Sequence, residues 1–309
     1  VRVYPNDFDG DLTTPGDSVN PGLWYLLNTN NANGGDSETT INGYDAITVG
    51  NTTYVAATNL PSGSGVLSPY IFVVAYSGDA ESSTQTVVKN LLEGFKFNRN
   101  TIFADECALE QAKVIEDTDR VTDLGTLAYL LSSYYYNDTD NDSTDDFPDL
   151  TSGSYIAGLT TSIWPSWNEL FGALLGQTLP VDPTNAFADA ATACPYDPPD
   201  LSLGETTGTY YDETGTCWDP VLKDFYGPEE SHSYLYQYRD ADDFALYTNL
   251  EYDGVGAWSD GKYDPCATYD DGTTVASSIS DYSGSGCSTF DYVVEDSETT
   301  DNATYADLF

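Results

Sequence analysis

The sequence has few basic residues and a large excess of acidic ones. There are 9 Lys and Arg against 51 Asp and Glu among 309 residues, a formal net charge of −42 at pH 7. Such a chain has almost no cations to neutralise phosphates, which argues against nucleic acids and anionic membrane surfaces as partners. Two reasons for the acidity stay open: adaptation to high salt, where ions screen the self-repulsion, or attraction of cations such as Ca²⁺.

The residue patterns of common active sites are missing as well. His232 is the only histidine, and the Cys/His spacing of zinc sites is absent. The sequence has no Gly-x-Ser-x-Gly nucleophile elbow and no phosphate-binding loop or dinucleotide fingerprint. Paired carboxylates are too common in this chain to indicate glycoside hydrolysis. We therefore predict that the protein is not an enzyme.

Methionine and long apolar runs are also absent. The chain begins with Val1 and contains no Met, which predicts a mature protein whose secretion signal has been removed. No apolar run reaches the about 20 residues that span a bilayer, so we expect no membrane insertion of the mature chain. The five cysteines agree with a secreted, extracellular or cell-surface location, because disulfides persist outside the cytoplasm.

The pairing of the cysteines is not fixed by the sequence. Our preferred pairs are Cys194 with Cys217 and Cys266 with Cys287, since each closes a loop rich in Gly, Pro and Asp that has no core of its own. Closing a loop of roughly 20 residues contributes about 3 kcal/mol. Cys107 is left over, either as a buried free thiol at a helix start or as half of an intermolecular disulfide.

Sequons for N-glycosylation support the same extracellular location weakly, because a chain rich in Asn, Ser and Thr contains some by chance. A glycosylated sequon would have to lie on the surface. The sequons begin at Asn51, Asn137, Asn141 and Asn302.

The first hundred residues predict a sheet backed by one helix. Tyr44–Val49 and residues 52–57 read as a hairpin across a Gly-Asn turn. Residues 69–76 are apolar on both faces, which is typical of a central strand. Residues 84–97 show helical spacing of apolar side chains. The side chains predicted to form its buried face are Val87, Val88, Leu91, Leu92 and Phe95.

A second, longer helix is predicted to end at three consecutive tyrosines, Tyr134–Tyr136. Thr118 or Asp119 is a suitable N-cap residue, but the apolar pattern also continues back to Cys107, so a longer helix remains open. Its buried face consists of residues spaced by three and four. They are Leu124, Leu127, Ala128, Leu131 and Tyr135.

The acidic loop after this helix places oxygen ligands at alternate positions, as Ca²⁺ sites do. The match to an EF-hand loop is imperfect, since Ser143 stands at the usual Gly position and the last ligand is Asp rather than Glu. A solvated loop without metal is the alternative. The candidate Ca²⁺ ligands are Asp138, Asp140, Asp142, Asp146 and Asp149.

A short helix follows, for which Ser166 and Glu169 have the spacing of a capping box. Gly176 is the expected residue just past its C-terminal end, and Pro180 prevents its continuation. Its predicted buried face consists of four apolar residues. They are Leu170, Phe171, Leu174 and Leu175.

The order of these features resembles a known family. A helix with an aromatic end, a loop with Phe147-Pro148, a WPSW helix, LPVDPTN and a later CWD segment together resemble the soluble domain of type IV pilin-like proteins, in particular the major pseudopilins of type II secretion. The resemblance covers residues 117–253. It implies a short antiparallel sheet, with residues 233–238 and 244–251 as its last two strands.

The chain departs from that family at its start. Pilins begin with a hydrophobic helix that lies in the membrane and then forms the filament core, whereas this sequence begins VRVYP. Either that helix has been removed or the pilin-like head serves in another assembly.

The whole sequence predicts an α+β fold with three regions. They are an N-terminal sheet-and-helix domain at residues 1–103, a pilin-like domain of a helix and a short antiparallel sheet at 104–253, and a low-complexity extension at 254–309. The C-terminal part is irregular and stapled by disulfides, and residues 290–294 add a strand to it.

We therefore expect an extracellular structural protein, a subunit of a surface filament, pilus-like fibre or surface layer that associates with copies of itself. Residues 1–4 alternate and would add as a strand to the sheet edge of a neighbour. The alternative is a cell-surface adhesin or carbohydrate-binding module, in which exposed tryptophans stack on sugars; a place in the core is the other reading of these residues. The tryptophans are Trp24, Trp164, Trp167, Trp218 and Trp258.

Overall fold

The fold belongs to the α+β class, with helices beside antiparallel sheets, as the sequence predicts. It is seen in a computed structural model of the chain. No helix among the residues described is both long and apolar enough to span a membrane. The structure describes residues 1–6, 18–29, 37–59, 68–97, 107–136, 146–154, 157–186, 210–211, 217–219, 224–225, 232–252 and 292–297.

The chain divides into two compact units, and neither is continuous in sequence. The first unit comprises residues 1–126 together with 251–260, and the second comprises 127–250 together with 261–309. The chain therefore leaves the first unit within a helix, returns to it at residues 251–260 and then enters the second unit again.

A five-stranded antiparallel sheet forms the centre of the first unit, in the order β1-β5-β4-β3-β2. The predicted hairpin is confirmed, since β3 and β4 begin at the residues expected. The predicted central strand is β5, which pairs with β1 on one side and β4 on the other. The strands are β1 Arg2–Pro5, β2 Ser37–Ile41, β3 Tyr44–Val49, β4 Thr52–Asn59 and β5 Ser68–Ala75.

Two tight turns join β2 to β3 and β3 to β4. Asn42 and Gly43 both have positive φ, 56° and 92°, as a two-residue type I′ turn requires. Gly50 has φ 59° in the second turn. A Cβ on Gly43 would lie 2.9 Å from Cδ1 of Ile115, whereas a Cβ on Gly50 would meet nothing within 4 Å. Gly43 is therefore required both by its backbone and by the close approach of a helix.

The sheet carries a hydrophobic cluster on each face, because successive strand residues point to opposite sides. Val55 and Ala57 pack on one face with Tyr44 and Phe97. Their neighbour Ala56 packs on the other face. The two faces thus give the unit two small cores instead of one.

Three helices accompany the sheet. The first contributes Trp24 to the cluster around Ala56 and Ile71. The third helix contributes Ile115 to the opposite cluster, and its last ten residues belong to the second unit. The helices are α1 Pro21–Thr29, α2 Ser82–Glu93 and α3 Cys107–Tyr136.

Helix α2 forms where the sequence predicts a helix, but its predicted buried face is wrong in part. Val87 and Leu91 are 56% and 64% exposed. Leu92 and Phe95 do pack against the core. The helix ends at Glu93, so Phe95 lies beyond it, and only a narrow stripe of the helix faces the sheet. The helical spacing of the apolar residues predicted the helix correctly, but it did not predict which of their side chains are buried.

Helix α3 is the longer of the two alternatives left open by the sequence. It begins at Cys107 and ends at Tyr136, and all five predicted buried residues are buried. The predicted N-cap at Thr118 or Asp119 is wrong, because both residues lie within the helix. The Thr118 hydroxyl donates to the Val114 carbonyl at 2.6 Å, which satisfies a threonine inside a helix without ending it.

The second unit contains the strand pair implied by the family resemblance. Strands β10 and β11 form an antiparallel hairpin, which β6 and β12 extend on either side in the order β12-β11-β10-β6. The strand predicted at residues 290–294 is confirmed as β12. The strands of the unit are β6 Leu159–Thr161, β7 Tyr210–Tyr211, β8 Cys217–Asp219, β9 Asp224–Phe225, β10 Leu235–Asp240, β11 Asp243–Thr248 and β12 Tyr292–Ser297.

The short helix of the second unit contains a π-helical segment, Trp167–Gly172. The predicted capping box is wrong. Ser166 already has helical backbone angles and makes no side-chain cap. Its hydroxyl instead lies 2.7 Å from the Thr160 hydroxyl and 3.1 Å from that of Ser154. The Ser166 hydroxyl thus makes its hydrogen bond with Thr160 on β6 instead of capping the helix.

The end of this helix is as predicted. Gly176 has φ 75°, its N–H donates to the Ala173 carbonyl, and the Gln177 N–H donates to the Gly172 carbonyl. This pair of bonds is a Schellman motif. Of the four predicted buried residues, Phe171 is fully buried and stacks on Tyr236 at 4.4 Å between ring centroids. The other three, Leu170, Leu174 and Leu175, are only partly buried.

Candidate binding surface

A cavity of about 550 Å³ opens on one face of the five-stranded sheet in the first unit. Its floor consists of side chains from three adjacent strands. Arg2 of β1 pairs with Val73 of β5, which pairs with Tyr54 of β4, so the three lie side by side. Ala75 and Thr52 form the next pair along the two inner strands and also line the cavity.

The wall of the cavity is the C-terminal end of α1. Trp24 packs over Ile71 and Ala56 in the cluster beneath the helix. The last two residues of the helix, Asn28 and Thr29, line the cavity. The sheet face therefore continues past the point where the short helix stops, and this difference in length creates the cavity.

Aromatic rings surround this end of the sheet. The Trp24 ring lies 5.5 Å from that of Tyr4 and 6.2 Å from that of Tyr54, and Tyr25 lies 5.1 Å from Tyr54. The Trp24 indole N–H donates to the Pro5 carbonyl at 3.3 Å, which fixes its orientation. Burial, with smaller effects of Tyr25 and Tyr4, raises the pKa of Tyr54. Its hydroxyl therefore keeps its proton at neutral pH and can donate a hydrogen bond.

The polar side chains at the end of α1 make hydrogen bonds to backbone carbonyls of the same helix. The Asn28 amide donates to the Trp24 carbonyl at 3.0 Å, and the Thr29 hydroxyl donates to the Tyr25 carbonyl at 2.7 Å. Arg2 is exposed, and a hydrogen bond with Tyr4 raises the pKa of its guanidinium. No carboxylate belongs to the described lining of this cavity, although the chain contains 51 acidic residues.

Strand β1 is also an edge of the sheet. The predicted N-terminal strand is confirmed, but it pairs with β5 of its own chain. Within the described strands its other side has no partner. Val1 and Val3 are 74% and 52% exposed. Val1 lines the cavity, whereas Val3 points to the opposite face of the sheet. An edge strand with exposed apolar side chains is a site where another strand can add.

A buried ionic network lies elsewhere in the first unit. The Arg120 side chain is fully buried; one nitrogen lies 2.8 Å from the Asp117 carboxylate and another 2.7 Å from that of Glu251. Asp117 also accepts the backbone N–H groups of Glu251 and Tyr252 at 2.8–3.1 Å. Burial raises the pKa of Asp117, and Arg120 together with these N–H groups opposes that rise. The network ties α3 to the segment that re-enters the unit.

Further carboxylates crowd the same part of α3. Burial, followed by repulsion from Asp45 and Asp123, raises the pKa of Asp119 to about 9. Burial also raises the pKa of Asp45. In the described part of the chain no three His, Cys, Asp or Glu side chains have the arrangement of a metal site.

The predicted Ca²⁺ loop lies mostly outside the described residues, which include neither Asp138 nor Asp140 nor Asp142. Asp146 is partly buried and Asp149 is exposed. The Asp149 carboxylate accepts the Thr151 N–H at 3.1 Å. The calcium site remains a prediction.

Most of the predicted covalent modifications also fall outside the described residues. Cys194, Cys266, Cys287, Asn137, Asn141 and Asn302 lie there, whereas Cys107 begins α3 and Cys217 begins β8, with side chains that are not described. Asn51 is described: it is partly exposed in the turn between β3 and β4, and its carbonyl accepts the Tyr76 N–H at 3.2 Å.

The tryptophan side chains that the structure describes are all buried. Trp164 and Trp167 are buried, so the interpretation of these two as exposed residues that stack on sugars is wrong. Trp24 is largely buried but forms part of the cavity wall. Trp218 lies in β8, but its side chain is not described, and Trp258 lies outside the described residues. His232 forms an isolated backbone bridge with Ala186.

Comparison with models of protein families, with curated proteins and with solved structures gives no match for the chain. The cavity and the Arg120 network were both missed by the sequence interpretation. One signal was present for the network: Arg120 precedes Leu124 by four residues and Leu127 by seven, which places a charge on the apolar face of the helix. The cavity has no such signal, because its residues come from four separate segments of the chain.

Proposed function

We propose that this protein is an extracellular structural protein, the subunit of a surface filament, pilus-like fibre or surface layer. The exposed edge strand β1, with Val1 and Val3, is the observation that carries the proposal. Monomeric proteins normally blunt such edges with charges, prolines or covering segments. Here Pro5 ends the strand, but the two valines before it remain exposed.

The opposite edge of the sheet suggests the partner. Residues Ser37 to Thr40 of β2 are exposed, and within the described strands β2 pairs only with β3. All neighbours in the five-stranded sheet are antiparallel, so β1 and β2 run in the same direction. A copy that adds its β1 beside β2 of the preceding copy would form a parallel strand pair.

Such an addition is head-to-tail, and head-to-tail contacts that do not close into a ring form open filaments. The two edges are complementary in charge, because β1 carries the exposed Arg2 and β2 the exposed Glu38. The alternative contact, between two β1 strands about a two-fold axis, would stop at a dimer.

The experiment that tests this proposal compares two exposed valines. Val3→Lys places a charge on the edge strand, where lysine prevents strand addition. Val87→Lys places the same charge on α2, at a valine that is 56% exposed against 52% for Val3. We expect filaments or sheets of the unaltered chain in electron micrographs, the same assemblies with Val87→Lys, and dispersed subunits with Val3→Lys. Dispersed subunits or closed dimers of the unaltered chain, or equal assembly by both variants, would contradict the proposal.

The other features predicted from the sequence belong to the same proposal. They are the pilin-like origin of residues 117–253, Ca²⁺ on the acidic loop, glycosylation, the two disulfides and the absence of enzymatic activity. The long helix α3 followed by the β10–β11 hairpin agrees with the element order of a pilin head.

A further inference from the structure

We propose that the cavity between the end of α1 and the sheet of the first unit binds a neutral saccharide. The cavity is lined by the aromatic rings of Tyr4, Trp24 and Tyr54 and by the hydrogen-bonding groups of Arg2, Asn28 and Thr52. Its volume of about 550 Å³ lies within the range of roughly 300–1,000 Å³ typical of small-molecule sites.

The chemistry of the lining selects the ligand class. A sugar ring has apolar C–H faces and polar hydroxyl edges, and an aromatic ring beside amide, hydroxyl and guanidinium groups matches both. A metal cation needs oxygen anions, and the described lining has no carboxylate. A lipid chain prefers a wall without polar groups, whereas seven of the ten described lining residues carry a polar side-chain group.

Charge decides between neutral and acidic saccharides. The net charge of −42 repels an anionic ligand over the whole surface. Arg2 is the one cation in the described lining, and it can donate hydrogen bonds to hydroxyl oxygens without a formal anion. A neutral oligosaccharide therefore gains the local contacts without the long-range repulsion.

This site shares Val1 and Arg2 with the edge used in the strand addition proposed for β1, but the strand addition is tested at Val3, on the other face of the strand. Neighbouring residues on a strand point to opposite faces, so Val3 faces away from the side of the sheet where Arg2 and Tyr4 line the cavity. Saccharide binding therefore survives Val3→Lys, and assembly does not require the saccharide.

The test fills the cavity without removing a core contact. Ala75 is exposed at the end of β5 and lines the cavity, so Ala75→Trp places an indole inside it. Ala112→Trp adds the same side chain at an exposed position of α3, outside the cavity. A third variant, Arg2→Ala, removes an exposed guanidinium. Circular dichroism confirms that each variant is folded.

Binding is measured by titration calorimetry and tryptophan emission with hexasaccharides of glucose, mannose, xylose and N-acetylglucosamine, and with an oligogalacturonate as the acidic probe. We expect saturable binding of at least one neutral probe, a Kd raised at least about tenfold by Ala75→Trp, a smaller rise with Arg2→Ala and no change with Ala112→Trp. No binding of any neutral probe, binding unaffected by Ala75→Trp, or stronger binding of the acidic probe would overturn the proposal. Binding of a Gly/Ser-rich decapeptide in place of the sugars would assign the cavity to a peptide and overturn it equally.

Discussion

The guanidinium of Arg120 lies 2.8 Å from the carboxylate of Asp117, one turn earlier in the same helix, and both side chains are fully buried. A second nitrogen of Arg120 reaches Glu251, which lies 131 residues further along the chain. A pair at this spacing on an exposed helix contributes a few tenths of a kcal/mol. Burial and the additional partner make this pair part of the tertiary structure.

Arg120→Met should strongly destabilise the first unit. The substitution leaves the Asp117 charge buried without its cation, a change that costs about 3–5 kcal/mol when one partner of a buried ion pair is removed. Urea unfolding measures the loss, with the exposed Lys89→Met as the matched loss of a surface charge. Adding Asp117→Asn to Arg120→Met should recover part of the stability, and a double variant no more stable than the single one would show that charge is not the cause.

The stability of the protein should fall as the pH rises from about 4 to about 9. Asp119 has an ordinary pKa of 3.8, which the fold raises to about 9. Between these values the folded state keeps a proton that the unfolded chain has lost, so each rise in pH favours unfolding. Asp119→Asn should stabilise the protein at pH 8 by at least about 1.4 kcal/mol, the equivalent of one pKa unit, and have little effect at pH 3.5.

Thermal unfolding across this pH range measures the effect. The control is Asp79→Asn at an exposed turn, which tests whether the loss of any one negative charge has the same result. Equal stabilisation by both variants would assign the pH dependence to the net charge of the chain rather than to the buried carboxylate.

Gly43→Ala should destabilise the protein more than Gly50→Ala. Both glycines have positive φ, for which a side chain costs about 1–2 kcal/mol. The Cβ at position 43 would in addition lie 2.9 Å from Ile115, whereas position 50 is open. Chemical denaturation of the two variants separates backbone strain from the clash. Equal losses would mean that Ile115 moves aside without cost.

Calcium should bind to the acidic loop with the affinity of an extracellular module, a Kd on the order of 0.1–1 mM. Calorimetry with CaCl₂ measures it, and the double variant Asp146→Asn with Asp149→Asn should weaken it by removing two carboxylate ligands. Asp79→Asn is again the matched control. Binding that both variants retain would indicate unspecific attraction of cations by the net charge, and assemblies that survive a chelator would separate calcium from the structural role.

Local signals predicted much of the fold. The β3–β4 hairpin was predicted with the correct turn, although β4 extends two residues further than expected, because strand-forming runs flank a short Gly-Asn turn. The β2–β3 hairpin was missed even though it contains Asn42-Gly43, the strongest sequence signal for such a turn, because its flanking run SETTI is mostly polar. The end of the short helix was predicted for a similar reason, since Gly176 needs only its neighbours to form its motif.

The errors concern properties that depend on distant residues. Ser166 has the sequence of a cap, but its hydroxyl contacts Thr160 on a strand instead. Val87 and Leu91 have helical apolar spacing, but both side chains are exposed. The binding cavity could not be predicted from the sequence for the same reason, because the order of the strands determines that Arg2, Val73 and Tyr54 lie side by side.

The discontinuous first unit has a consequence during protein synthesis. The backbone partners of Asp117, at Glu251 and Tyr252, lie 134 and 135 residues later in the chain. A ribosome that adds 5–20 residues per second reaches them on the order of ten seconds after Asp117 has been made. During that interval the contacts of Arg120 and Asp117 with residues 251–252 cannot form, so this unit cannot finish folding on the ribosome before residues 127–250 of the second unit have been made.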